Sequence, residues 1–171
     1  SIILKQKIDY NDHLILKKFI NKTNHLSPRN HKSLRKENIS NITSKIATIP
    51  LVRKFVNNQQ KIIVKAMLKL HAGCVIDGRD IGSKVFRDAK IKLFIKAQPK
   101  IRAKRRHKQL IALGEKSIYG QILKEINLRD KTDIERKESP LVKPSGAIVI
   151  DNSNCFPKTV KQIKKALIKI K

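Results

Sequence analysis

The sequence predicts an α/β fold in which a parallel sheet is flanked by helices. Three observations carry this expectation. Short apolar runs rich in β-branched residues read as strands. Longer stretches place apolar residues at helical spacing. The two kinds alternate along the second half of the chain, with no internal repeat or low-complexity linker to suggest another architecture. A length of 171 residues allows one domain with a respectable core, or one domain with a small appendage.

Residues 11–22, NDHLILKKFINK, predict a short helix with Asn11 or Asp12 as N-cap. The polar stretch 23–33 carries Pro28 and reads as a loop. Leu34, Ile39, Ile42, Ile46 and Ile49 then recur at roughly helical spacing up to Pro50. A long helix is expected over 51–71, with Val52, Phe55, Val56, Ile62, Ile63, Ala66 and Leu70 facing inward. A buried strand follows at 73–77. A second strand, 89–97, alternates Ile91, Leu93 and Ile95 with lysines. Pro99 opens a helix that Gly114 ends. Further helix reaches toward Pro140, residues 146–151 (GAIVID) form a third strand, and 156–171 form a last amphipathic helix.

The net charge is +27, from 40 basic and 13 acidic residues. Such a balance attracts polyphosphate. Yet 30 of the basic residues are lysines scattered from Lys5 to Lys171, and aromatics make up 4%, few for the stacking platforms of single-strand binders. With 26 isoleucines beside them, the lysines have the look of compositional drift that decorates solvated faces. No specific nucleic-acid partner is expected, only nonspecific attraction at low salt. Cys74 and Cys155 make no disulfide framework, and the histidines at 13, 25, 31, 71 and 107 form no ligand set, so no metal site is expected. No apolar run reaches membrane-span length and no signal peptide opens the chain; a cytoplasmic protein without a membrane partner is the default expectation.

The stretch GCVIDGRDIG, 73–82, nearly spells a phosphate-binding loop, since Gly73 and Gly78 have the right spacing. Arg79 and Asp80, however, stand where that loop needs lysine and a hydroxyl residue. Cys74, Val75 and Ile76 read instead as a strand ending at Asp77, which would place Arg79 and Asp80 at its carboxyl end, where open α/β sheets bind ligands. Alone, the stretch is equally an ordinary glycine turn with a surface ion pair.

Arginines are scarce, ten in all, and most fall in tight groups: Arg79 with Asp80; Arg102, Arg105 and Arg106; Arg129 and Arg136 with Asp130 and Asp133. Guanidinium offers a planar, bidentate fork for phosphate that ammonium lacks. Arg129, Asp133 and Arg136 share one helical face by their spacing, which an exposed ion-pair ladder would also explain.

Together these groups carry a resemblance. GRDIGSKVFRDAKIKLFIKAQPKIRAKRRHKQL, then RDKTDIERKESPLVKP, preceded by RKENISNITSKIATIPLVR and followed by GAIVID, resembles bacterial cytidylate kinases over about residues 34–151. The resemblance implies a sheet and helices of the nucleoside monophosphate kinase type and transfer of the ATP γ-phosphoryl group, with Mg²⁺, to CMP or dCMP. It implies that Ser44 and Arg53 recognise cytosine, that Asp80 adds a base contact and that Arg79 contacts the monophosphate. Arg129 and Asp133 would hold ribose and phosphate, and Arg136, with Arg129 a candidate catalytic residue, would bring charge to the transferring group. Arg102, Arg105 and Arg106 would lie on a mobile lid over ATP, around 99–136. Phosphoryl transfer needs positioning and charge neutralisation more than covalent chemistry, which suits such an array.

The chain departs from the family pattern at Arg87 of FRDA, where relatives carry proline, at Thr132, usually arginine, and at Gly146, commonly acidic. No glycine-rich phosphate loop is found, although the family's begins its chains, and the first residue is Ser1. The expectation is therefore an amino-terminally truncated member lacking the first two strands and the P-loop, inactive alone and monomeric. Residues 1–72 would be the mostly helical remainder of the monophosphate-binding region, and 73–171 the α/β part. An inactive remnant of such a kinase and a basic nucleic-acid-binding protein are the alternatives.

Overall fold

The computed structural model of the protein describes residues 9, 12–23, 42–43 and 46–168. The chain divides into two compact units, Ser1–Ile76 and Asp77–Lys171.

In the first unit, helix α1 (His13–Lys22) begins where Asp12 accepts the Leu14 and Ile15 amides on Oδ1 at 2.8 and 3.0 Å. This satisfies two of the orphan donors of the first turn, as a capping aspartate should. Helix α2 (Pro50–Leu70) opens with proline at its first position, behind an extended Ile49. Val52 is buried as expected, but Gln59 is buried too, while Ile62, Ala66 and Leu70 of the expected inward face are exposed. Helical spacing predicts which residues share a face; what covers that face is set elsewhere. The helical stretch expected before Pro50 lies largely outside the described residues.

The expected strand at 73–77 does not form. Gly73–Gly78 has no regular structure, Cys74 is exposed, and Val75 is fully exposed at 101%. A β-branched run becomes a strand only where a neighbour takes its N–H and C=O groups, and no described residue pairs with this one.

In the second unit, Ile81–Val85 makes a single π-helical turn. The Asp80 carbonyl accepts the Lys84 and Val85 amides at 2.9 and 3.4 Å. Gly82 packs closely there: a Cβ would sit 3.0 Å from the Pro144 ring, which would have to give way by a few tenths of an ångström. Strands β1 (Leu93–Lys96) and β2 (Ile148–Asp151) pair in parallel, with Leu93 opposite Ile148 and Lys96 opposite Asp151. Both are shorter than the 89–97 and 146–151 expected. Between them run helices α3 (Pro99–Ala112) and α4 (Tyr119–Glu135), the connection parallel strands demand. Gly114, with φ +74°, ends α3 in the left-handed region, and the Glu115 amide returns to the Leu110 carbonyl at 3.0 Å. Ala103 and Leu110, seven apart on α3, pack with Ile122 of α4 into a core flanked by Leu123 and Ile126.

After β2, helix α5 (Phe156–Ile168) folds back on the strand. Gln162 accepts the Asp151 amide at 3.1 Å and donates to the Asp151 carbonyl at 2.9 Å. The second unit is thus an α/β arrangement, a small parallel sheet with flanking helices.

Candidate active site

The last turn of α4 and the chain leaving it build an arginine cluster around one carboxylate. Asp133 is buried, 3% exposed. Its Oδ1 accepts from Nη1 of Arg136 at 3.0 Å, and its Oδ2 lies 2.8 Å from Nη1 of Arg79. Arg129, one turn earlier, brings its Nε to 3.9 Å of the same Oδ2. Three guanidinium groups against one carboxylate leave a formal surplus of two positive charges.

Local backbone geometry fixes this arrangement. Arg136 caps α4, so its side chain turns back along the helix end. Its Nε donates to the Ser139 carbonyl at 2.6 Å, and the Leu141 amide donates to the Asp133 carbonyl at 2.7 Å. Ser139, buried, has φ +52°, a conformation costing a non-glycine residue about 1–2 kcal/mol. The bonds on both sides of it hold that turn closed over Asp133. Sequence reasoning missed Ser139, because a residue before proline is biased toward extended backbone.

The three arginines differ in access. The Arg136 side chain is 6% exposed, whereas those of Arg79 and Arg129 are 35% and 44% exposed. Burial lowers the Arg129 pKa from its ordinary value, the neighbouring Arg79 cation lowers it further, and Asp133 and Asp130 oppose both. Arg129 stays charged regardless, as arginine does in proteins. A half-exposed cation beside other cations is a site short of negative charge. Asp80 is buried beside the cluster's Arg79 in sequence, its carbonyl capping the π-helical turn.

The arginines of α3 are held by protein groups. Arg102 forks onto Asp130 of α4, Nη1 to Oδ1 at 2.9 Å and Nη2 to Oδ2, and donates Nε to the Ala97 carbonyl at 3.0 Å. The hydrogen bonding of its guanidinium to Asp130 outweighs burial and raises the Arg102 pKa. Arg105 spans the Asn152 and Asn154 carbonyls, each at 2.7 Å. Arg106 donates to Oε1 of Gln109 at 3.0 Å along its own helix. Asp130 directly follows Arg129 in the sequence, but no local spacing announces a partner on another helix.

Of the other expected site residues, Ser44 lies outside the described residues. Arg53 is half-buried on the first turn of α2, in the other unit. Among the described residues no three His, Cys, Asp or Glu side chains come together as a metal cage, and no helix is long and apolar enough to cross a membrane.

The sequence profile of the family described as cytidylate kinase matches residues 2–170. Proteins called cytidylate kinase from Rickettsia conorii and Rickettsia felis are each 43% identical to this chain over 150 residues. One from Rickettsia akari is 42% identical over the same length. In each case the match covers 88% of this chain and 65% of the relative, so the chain spans about two thirds of the length of these relatives. The α/β arrangement of the second unit is consistent with a nucleoside monophosphate kinase fold. By sequence, the chain belongs to the cytidylate kinase family.

Proposed function

We propose that this protein serves phosphoryl transfer from ATP to CMP or dCMP, and that the cluster of Arg79, Arg129 and Arg136 receives the monophosphate. The observation that carries the reading is the convergence of these three guanidinium groups on the single buried carboxylate of Asp133. In the reaction an oxygen of the CMP phosphate attacks the γ-phosphorus of ATP; the bond from that phosphorus to the β-bridging oxygen breaks, giving CDP and ADP. Charge collects on the transferring oxygens, and fixed cations stabilise it without reorganising.

Within that reading the residues divide their work. Arg136, locked by Asp133 and Ser139, is a rigid cation near the transferring group. Arg79 and Arg129, the more exposed pair, turn toward the CMP phosphate and ribose, whose charge relieves their mutual repulsion. Asp133 keeps the cations together while no anion is bound. Ser44 and Arg53 read the cytosine, with Asp80 adding a base contact. Mg²⁺ would accompany ATP on its phosphates; the described side chains form no cage for it.

Calorimetric titration of the chain with CMP, dCMP and cytidine tests this. CMP should bind, and Arg79→Ala or Arg129→Ala should weaken it about tenfold to a hundredfold, the loss of one charged hydrogen bond. Cytidine, lacking phosphate, should bind weakly and be indifferent to both substitutions. Equal binding of CMP and cytidine would remove the cluster from the phosphate site.

A further inference from the structure

The chain between α4 and β2 is tied to the arginine cluster at two places. Near its start, the Ser139 carbonyl accepts from Nε of Arg136, and the Leu141 amide donates to the Asp133 carbonyl. Near its end, the Ala147 amide donates to the Pro144 carbonyl at 3.1 Å and closes a β-turn, with Gly146 at φ +70° in its third position. This turn sets the Pro144 ring against Gly82. Lys92 shares the contact, since a Cβ on Gly82 would lie 3.6 Å from its Cδ. Lys92 also anchors the turn: its Nζ donates to the Ser145 carbonyl at 3.3 Å, and its own carbonyl accepts the Ile148 amide at 2.9 Å. The ring is thus fixed from behind, where the two strands begin.

We infer that Gly82 and Pro144 are positioning residues for Arg79: the ring is a stop that seats the π-helical turn, and that seat decides where the Arg79 guanidinium meets Asp133 and an incoming phosphate. The inference rests on the phosphoryl-transfer reading above. Gly82 follows Arg79 by three residues, inside a turn closed by the Lys84 amide on the Asp80 carbonyl at 2.9 Å and the Phe86 amide on the Ile81 carbonyl at 2.7 Å. A turn bonded in this way absorbs little displacement, so a push at Gly82 passes through Asp80 to Arg79. Arg79 holds Oδ2 of the buried Asp133 at 2.8 Å, and hydrogen bonds weaken steeply when their geometry is spoiled. Because the ring is anchored, a side chain larger than glycine at position 82 moves the turn rather than the stop, the usual outcome of overpacking. One connection therefore holds Arg136 by a hydrogen bond and Arg79 by a packing contact, and it fixes the spacing of these two cations.

Calorimetric titration of the full chain with CMP tests this through paired substitutions. Gly82→Val should weaken CMP about tenfold, because the overpacked turn carries Arg79 off the phosphate. Adding Pro144→Ala to Gly82→Val removes the stop and should return most of that loss. In an Arg79→Ala chain, Gly82→Val should cost no further affinity, since the side chain that it misplaces is gone. A glycine with a merely structural role would behave otherwise: its loss of affinity would add to that of Arg79→Ala. Where Gly82→Val gives no folded protein by circular dichroism, Gly82→Ala makes the same comparisons with a smaller, severalfold loss. Additive losses, or CMP binding unchanged in both Gly82 variants, overturn the inference while the phosphoryl-transfer reading stands. Absence of rescue by Pro144→Ala overturns the part assigned to Pro144. CMP binding that is indifferent to Arg79→Ala, or no CMP binding at millimolar concentration, defeats both the inference and that reading.

Discussion

Arg136 and Asp133, three residues apart at the end of α4, meet at 3.0 Å with both side chains almost wholly removed from water. An ion pair this buried stabilises only as a complete set, because removing one partner strands the other.

Asp133→Ala should therefore destabilise the protein by about 3–5 kcal/mol, since it leaves Arg136 without its counter-charge in a buried setting. Urea denaturation measures it. A loss within experimental scatter would mean that water reaches the cluster freely.

Leu110 joins Ala103 and Ile122 in the core between α3 and α4. Leu110→Ala should cost about 2–5 kcal/mol, the usual range for a buried leucine. The exposed Leu113, beyond the helix end, should tolerate alanine within roughly 0.5 kcal/mol. Parallel thermal melts of the two variants check the contrast.

The same elements show what was readable in advance. Pro99 and Gly114 bracket α3 because proline suits a first helical turn and glycine a left-handed exit, both local rules. Asp12 was one of two candidate caps, and the structure selects it. The run from Gly73 to Asp77 carried an equally good local signal for a strand, yet strand formation depends on a neighbour that local sequence does not contain. The arginine cluster was half legible. The spacing of Arg129, Asp133 and Arg136 placed them on one face, but at 3.9 Å Arg129 is the more distant partner, and the 2.8 Å contact from Arg79 comes through tertiary folding. The Arg102–Asp130 pair joins two helices and follows no period at all.

Arg53→Ala should weaken use of the cytosine nucleotide by about 2–4 kcal/mol if Arg53 reads the base, because an unmatched polar edge is left buried. Steady-state or binding measurements with CMP decide it; unchanged values would withdraw Arg53 from base recognition.

The pKa of Asp151 is lowered by hydrogen bonds from the Ser153 side chain and backbone, the amide at 2.8 Å. A carboxylate with a lower pKa folded than unfolded stabilises the protein above its unfolded value, and that contribution disappears as pH falls through the folded one. Melting temperature should thus drop on acidification below the ordinary carboxylate range, and Asp151→Asn should flatten that part of the curve. A variant profile parallel to that of the parent would refute the assignment.

Association with DNA or RNA should fall steeply with salt and show no sequence preference, as phosphate-only attraction to a +27 chain requires. Fluorescence anisotropy across a salt series measures it, and a sequence-selective complex at physiological salt would contradict the expectation.

Helix α3 leaves directly from β1 and α4 returns toward β2, so the helical hairpin is rooted at two strands lying side by side. Mechanically it is a lever with a narrow fulcrum. Its 14-residue first arm is about 21 Å long at 1.5 Å per residue. A rotation of about 10° at the root would sweep the Gly114 end through roughly 4 Å on that geometry. Because Arg102 and Asp130 join the two arms near the root, they swing as one rather than shearing past each other. A slight change at the strand ends is thereby magnified at the far tip.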